Sequence, residues 1–174
     1  MPPFRHASLL DGIQEASSIK LNNKIYEMQA SGNDVITLSL GEAFFDIPVP
    51  SFEDLPAAKI HHYSHSRGLP SLREKLSGYH RAASGAPVDP EHEVMVTAGS
   101  KMAIFMALAA ILEPGDEVII PEPLWVSYPD QVRLARGVPV TTPWQCTVEE
   151  LATYVTPRTR AVVVNNPRNP SGAG

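Results

Sequence analysis

The chain has 174 residues, 43% hydrophobic and 19% charged, with a net charge of −5. That is enough chain for one domain with a real core, in the ordinary composition range of a soluble globular protein. The acidic balance and the lack of any basic run argue against a nucleic-acid surface. The longest apolar run, Met102 to Leu112, is eleven residues, too short to span a bilayer. The single cysteine, Cys146, cannot form an internal disulfide, which favours a reducing, cytoplasmic setting. The opening stretch Met1 to His6 lacks the apolar core of a signal peptide.

Taken in order, residues 1 to about 10 read as a loose arm. Ile13, Ala16, Ile25 and Met28 fall near helical spacing and predict a helix from Gly12 to Ala30. Ser31-Gly32-Asn33-Asp34 ends it, and Val35 to Leu38 is a short predicted strand. Gly41 to Pro50 reads as an ordered loop, and Ser51 as the cap of a helix to about Lys59. His61 to Gly68 is polar and irregular. Leu69, Leu72 and Leu76 mark a helix to about Ala83, with Pro70 in its first turn. Val94 to Thr97 is a predicted strand and Ser100 to Leu112 an apolar helix, stopped by Glu113-Pro114-Gly115-Asp116. A strand over Glu117 to Pro121, a helix over Trp125 to Arg136 and a strand over Val138 to Thr141 follow. Thr147 and Glu150 form a capping-box pattern that starts a short helix to Tyr154. Ala161 to Asn165 is the last predicted strand. From Val94 onward strands alternate with helices, so the fold class is α/β with a mostly parallel sheet. Residues 1–34 divide off as an arm and helix, with residues 35–174 as one further domain.

Chemistry concentrates at three predicted strand ends. Thr97-Ala98-Gly99-Ser100-Lys101 joins a strand to a helix through a glycine. The first N–H groups of a helix lack intrahelical partners and carry partial positive charge, which suits a phosphate or carboxylate. A plain serine-capped helix start is the bland alternative. Pro121-Glu122-Pro123-Leu124-Trp125 ends the next strand, and Trp125 would lie flat on an aromatic ligand or else fill a core position. Asn165-Asn166-Pro167-Arg168-Asn169-Pro170 follows the last strand, and its two Asn-Pro pairs impose a tight, non-helical turn. Asn169 is a hydrogen-bonding amide there, or an ordinary turn residue. An anion seat, an aromatic plate and an amide converging on one sheet describe a site for a phosphorylated aromatic cofactor.

Four segments then carry a resemblance. Leu40 to Pro48, Tyr63 to Arg73, Thr97 to Ile104, and the pair Pro123 to Asp130 with Asn165 to Gly172 resemble, in order and spacing, the fold-type I pyridoxal-phosphate enzymes of the aspartate aminotransferase superfamily, class I and II. The resemblance covers nearly the whole chain after about residue 10. It implies that the chain is part of the family's mostly parallel-sheet large domain, incomplete without a second half. It implies that Gly99, Ser100 and Lys101 present amides to the phosphate of pyridoxal 5′-phosphate, that Trp125 stacks on the pyridine ring and that Asn169 hydrogen-bonds the phenolic oxygen. It implies further that Gly41 lines the substrate carboxylate side and that Tyr63 crosses a dimer interface to the phosphate held by the other subunit. Ala43-Phe44 stands where the commonest form has Pro-Asp, and Ser171 where Thr is commoner.

The family's chains are about twice this long, and its Schiff-base lysine, its acid for the pyridine nitrogen and its carboxylate-clamping arginine have no match here. None of Lys20, Lys24, Lys59, Lys75 or Lys101 sits in the lysine motif. The expectation is a split enzyme, inactive alone, in which a second polypeptide supplies the lysine-bearing half, with a dimer of such pairs moving an amino group between an amino acid and a 2-oxo acid. A lyase, decarboxylase or cyclase on the same cofactor, or a non-catalytic truncated relative, are the competing readings. His61, His62 and His65 have no acidic or cysteine ligand at a suitable offset, so no metal is expected. Ser17-Ser18-Ile19-Lys20 matches Ser-x-x-Lys without its companion motifs.

Overall fold

The computed structural model describes residues 5–13, 15–39, 41, 45–46, 58 and 61–172. They group into two compact units, residues 1–42 with 104–174, and residues 43–103.

The first unit is built on three parallel strands, β1 Glu117–Pro121, β2 Val138–Thr142 and β3 Thr159–Val162, in the order β2-β1-β3. Glu117 to Pro121 pair in register with Val138 to Thr142, and Ile119 lies opposite Val162. As the central strand, β1 is covered on both faces, and Val118, Ile119 and Ile120 are buried. That is why it reads as an unbroken apolar run and not as an alternation.

Among the described residues the helices follow in chain order. Helix α1, Ser17–Ala30, packs on Ile25. Helix α2, Pro70–Ser84, starts with proline in its first turn and ends at Gly85, whose φ of 73° is the left-handed cap that glycine adopts freely. Helix α3 is Ser100–Ile111 and helix α4 is Ser127–Leu134. Leu108 and Leu112 meet Val118, Ile120, Val132 and Ala135 in one core cluster. Each fully buried aliphatic side chain contributes roughly 1.5–3 kcal/mol. A short helix α5, Val148–Leu151, carries both halves of the predicted capping box: Glu150 N donates to Thr147 Oγ1, and Thr147 N donates to Glu150 Oε2. A 3₁₀ turn continues it over Ala152–Tyr154.

At the amino end of the sheet Glu117 is a cross-link. Its carboxylate accepts from Thr156 Oγ1 at 2.5 Å and from Arg158 Nε at 2.9 Å. These bonds, the Thr156 hydroxyl first and Arg158 after it, hold its carboxyl below the ordinary carboxylate range.

The second unit has its own lock. Arg73 on α2 is 1% exposed and reaches the Pro90 carbonyl at 2.6 Å and the Glu91 carboxylate at 3.1 Å. Arg67 also pairs with Glu91, and the Arg67 carbonyl accepts from Val96 N at 3.0 Å.

Several expectations are corrected. Val35 to Leu38 forms no strand: Ile36 is 85% and Leu38 89% exposed, and an extended segment without a paired neighbour is not a strand. Val94 to Thr97 likewise forms no strand with any described residue: Val96 N bonds the Arg67 carbonyl and Met95 is exposed. The sheet therefore offers two of the expected strand ends and not three. Helix α1 begins at Ser17, later than Gly12, and α4 is shorter than Trp125 to Arg136 because Arg136 turns to φ 67°. The last strand is Thr159–Val162, and Val163 N still bonds the Ile119 carbonyl at 2.9 Å. The ordered loop expected over 41–50 and the helix from Ser51 to about Lys59 fall for the most part outside the described residues.

Candidate functional site

The carboxyl ends of β1 and β3 lie side by side because the strands are parallel neighbours. Two irregular segments leave from them. After β1, Glu122 N donates to the Thr142 carbonyl at 3.2 Å, and Pro123 and Leu124 carry the chain to Trp125. After β3, the segment Asn165–Ser171 folds on itself through one amide side chain. Asn165 Oδ1 accepts from Asn169 N at 3.0 Å, and Asn165 Nδ2 donates to the Pro167 carbonyl at 3.1 Å. Prolines at 167 and 170 remove two donors, so side-chain bonds take over the pairing that a helix would supply. Arg168 Nη1 then donates to the Glu122 carbonyl at 2.9 Å and joins the two segments.

Between them is a cavity of about 300 Å³, mostly apolar, with Leu124, Tyr128, Val163, Asn165, Arg168 and Asn169 in its wall. An apolar hollow with a few convergent polar groups is the usual form of a small-molecule site. Trp125 is half-buried and meets Tyr128 edge to face, with ring centroids 5.2 Å apart and planes at 87°. This geometry suits the aromatic quadrupoles and fixes the indole's orientation.

The second unit holds the other predicted contacts. Gly99 has φ +83° and open space where a Cβ would stand. Its carbonyl accepts from Ala103 N at 3.2 Å and from Thr97 Oγ1 at 3.0 Å, so helix α3 opens at Ser100. Ser100 and Lys101 are exposed in the first turn. Tyr63 is fully exposed. In the first unit Gly41 is exposed, with nothing within 4 Å of its Cβ position.

Trp125 and Asn169 thus sit on two neighbouring segments of one unit, as their strand ends predicted. Gly99, Ser100, Lys101 and Tyr63 belong to the other unit. Sequence reasoning gave no role to Tyr128, Asn165 or Arg168. Tyr128 stands three residues after Trp125, at helical spacing, which was a usable signal. The roles of Asn165 and Arg168 come from bonds that no spacing encodes.

Pyridoxal phosphate can be tested against this donor set. A glycine-opened helix start with Ser100 and Lys101 is suited to a phosphate. A fixed indole and a carboxamide are suited to a pyridine ring with a phenolic oxygen. Each set, taken within its own unit, has the chemistry to meet one part of that group. Among the described residues no cluster of three or more His, Cys, Asp or Glu forms a metal site, and no helix is long and apolar enough to cross a membrane.

The family model for aminotransferase class I and II matches residues 34–173. The aspartate/prephenate aminotransferase of Thermus thermophilus is 40% identical over 173 residues, which is 94% of this chain and 45% of that protein. The aspartate aminotransferase of Geobacillus stearothermophilus is 38% identical over 95% of this chain and 44% of its own length. Among solved structures, Thermus thermophilus aspartate aminotransferase with maleate superposes with a TM-score of 0.83 at 35% identity, covering 96% of this chain and 46% of that one. The Rhizobium meliloti aspartate aminotransferase gives 0.85 at 33% identity, over 97% and 44%. The chain spans less than half the length of these relatives.

Proposed function

From the premise that this chain belongs to the aminotransferase class I and II family, we propose that it forms the N-terminal half of a pyridoxal-phosphate aminotransferase moving an amino group between an amino acid and a 2-oxo acid. The match across residues 34–173 carries this reading. In it, residues 35–174 are the N-terminal portion of the cofactor-binding domain and residues 1–34 its arm and helix. The relatives named for aspartate and prephenate favour a dicarboxylic substrate class.

When bound, pyridoxal phosphate supplies an electron sink that lets an amino group exchange between carbon skeletons. This chain's residues bind and orient. Gly99, Ser100 and Lys101 offer backbone amides, and Ser100 a hydroxyl, to the phosphate. Trp125 covers one ring face, and the apolar wall around Leu124 and Val163 keeps water away. The Asn169 carboxamide donates to the phenolic oxygen and so favours its ionised form. Tyr63, free of intramolecular cover, reaches the phosphate of a partner subunit across a dimer interface. Gly41 lines the carboxylate side of the substrate.

The reactive lysine comes from sequence beyond these 174 residues. The first arrangement to test is a separate polypeptide, a heteromer of two halves. The exposed Met106, Ile111 and Val164 support further chain packing against this unit. The chain is mixed with the polypeptide bearing the remaining half and with pyridoxal phosphate, then scanned for a visible absorbance band that borohydride bleaches. Amino-acid substrates are then screened for 2-oxo acid formation. A band with no transamination would move the assignment to a lyase, decarboxylase or cyclase. No band in any combination would refute the cofactor reading.

A further inference from the structure

Arg168 has no role in the site so far, yet it joins the two segments that carry the ring contacts. Its Nη1 donates at 2.9 Å to the carbonyl of Glu122. That carbonyl begins the short path through Pro123 and Leu124 to Trp125. On the other side, Arg168 is bonded into its own segment. Its backbone oxygen accepts from Gly172 N at 2.6 Å, and its neighbour Asn169 is fastened through N–H to Asn165 Oδ1 at 3.0 Å. Arg168 is half-buried and shares the cavity wall with Leu124, Tyr128 and Asn169.

We infer that Arg168 is a positioning residue that sets the spacing between the Trp125 segment and the Asn169 segment, coupling the ring-stacking contact to the ring hydrogen bond. The inference rests on the reading of Trp125 and Asn169 as cofactor contacts. Three physical points carry it. Past the Glu122 N bond to the Thr142 carbonyl neither segment continues a strand ladder, and a hydrogen bond of the Arg168 side chain joins the two. A charged donor to a carbonyl is shorter and stronger than a neutral one. A planar guanidinium on a half-buried stem fixes direction as well as distance, which a lysine ammonium does not.

The test is a double-mutant cycle on the assembled enzyme. Pyridoxal phosphate is titrated against quenching of tryptophan fluorescence in wild type, R168Q, N169A and R168Q/N169A. R168Q is expected to weaken binding about five-fold. In the N169A background the same change is expected to cost less than about two-fold, because the tether then has no amide to place. R168K keeps the charge and loses the fork, so it falls between wild type and R168Q. It serves the same cycle if R168Q does not fold. Hydrogen exchange on the cofactor-free protein is the second readout. R168Q is expected to speed exchange across both 122–128 and 165–172 while leaving β2 unchanged.

An equal loss in both backgrounds would make Arg168 a general stabiliser and overturn the inference, while leaving the cofactor reading intact. Unchanged exchange in both segments would overturn it as well. A wild-type enzyme that never binds pyridoxal phosphate would instead sink the cofactor reading, and the coupling with it.

Discussion

Gly68→Ala is the sharpest perturbation available, because two separable costs meet at one atom. Gly68 has φ +98°, where an alanine pays roughly 1–2 kcal/mol. Its Cβ would also stand 2.5 Å from Val96 Cγ2 and 2.6 Å from Val96 Cβ. Val96 cannot slide away freely, since its N–H is bonded to the Arg67 carbonyl, and forcing such an overlap costs about 1–3 kcal/mol. The expected destabilisation of this unit is therefore roughly 2–5 kcal/mol. Val96→Gly removes both overlapping atoms at its own measured cost. The double variant should then be less destabilised than the sum of the singles by the overlap alone, about 1–3 kcal/mol. Urea unfolding gives the cycle, and exchange of the Val96 amide reports the site directly. Cofactor affinity should fall with it, because Val96 leads through Thr97 and Ala98 to the helix start at Gly99. Additivity of the two changes within about 0.5 kcal/mol would refute the contact.

Trp125→Ala should weaken pyridoxal-phosphate retention in the assembled enzyme without unfolding it, since it removes a stacking partner worth about 0.5–1.5 kcal/mol and leaves the β1 core intact. Unchanged affinity in a cofactor titration would mean the indole is placed wrongly. Glu117 gives a pH dependence. Its folded pKa is lowered, by the Thr156 hydroxyl first and Arg158 next. Its stabilisation is therefore present above the unfolded carboxylate pKa and drains away as pH falls through the folded one. Glu117→Gln should flatten the acid limb of a melting-temperature profile, and a profile as steep as wild type would exclude this group as its cause. Thr147→Ala opens one half of the capping box and should cost about 1 kcal/mol, confined to the α5 turn in hydrogen exchange. Protection lost equally across the sheet would contradict so local a role.

The α/β class, the parallel β1–α4–β2 order, helices α2 and α3, and the capping box at Thr147 were legible in the chain itself. The helices and the capping box rest on interactions between residues close in sequence: a proline in a first turn, a glycine at a helix end, a threonine three residues before a glutamate. The α/β order follows from their alternation with apolar runs. The strand over Glu117 to Pro121 was legible too, but that Val118, Ile119 and Ile120 are the buried run was decided by its central place between β2 and β3. The apolar run Ala161 to Val164, read as a buried strand, instead leaves Val162 and Val164 exposed at the sheet's edge. Two predicted strands failed because a strand is defined by its neighbour, and Val35 to Leu38 and Val94 to Thr97 form no strand with any described residue. Tertiary structure alone decided that Arg73 is buried against Glu91, and that Glu117 is tied to Thr156 and Arg158 across some forty residues. It also decided that Arg168 reaches the Glu122 carbonyl. Those bonds close long loops between polar groups. Such groups stand in water in the extended chain, and only the packing of the strands brings each donor to its acceptor.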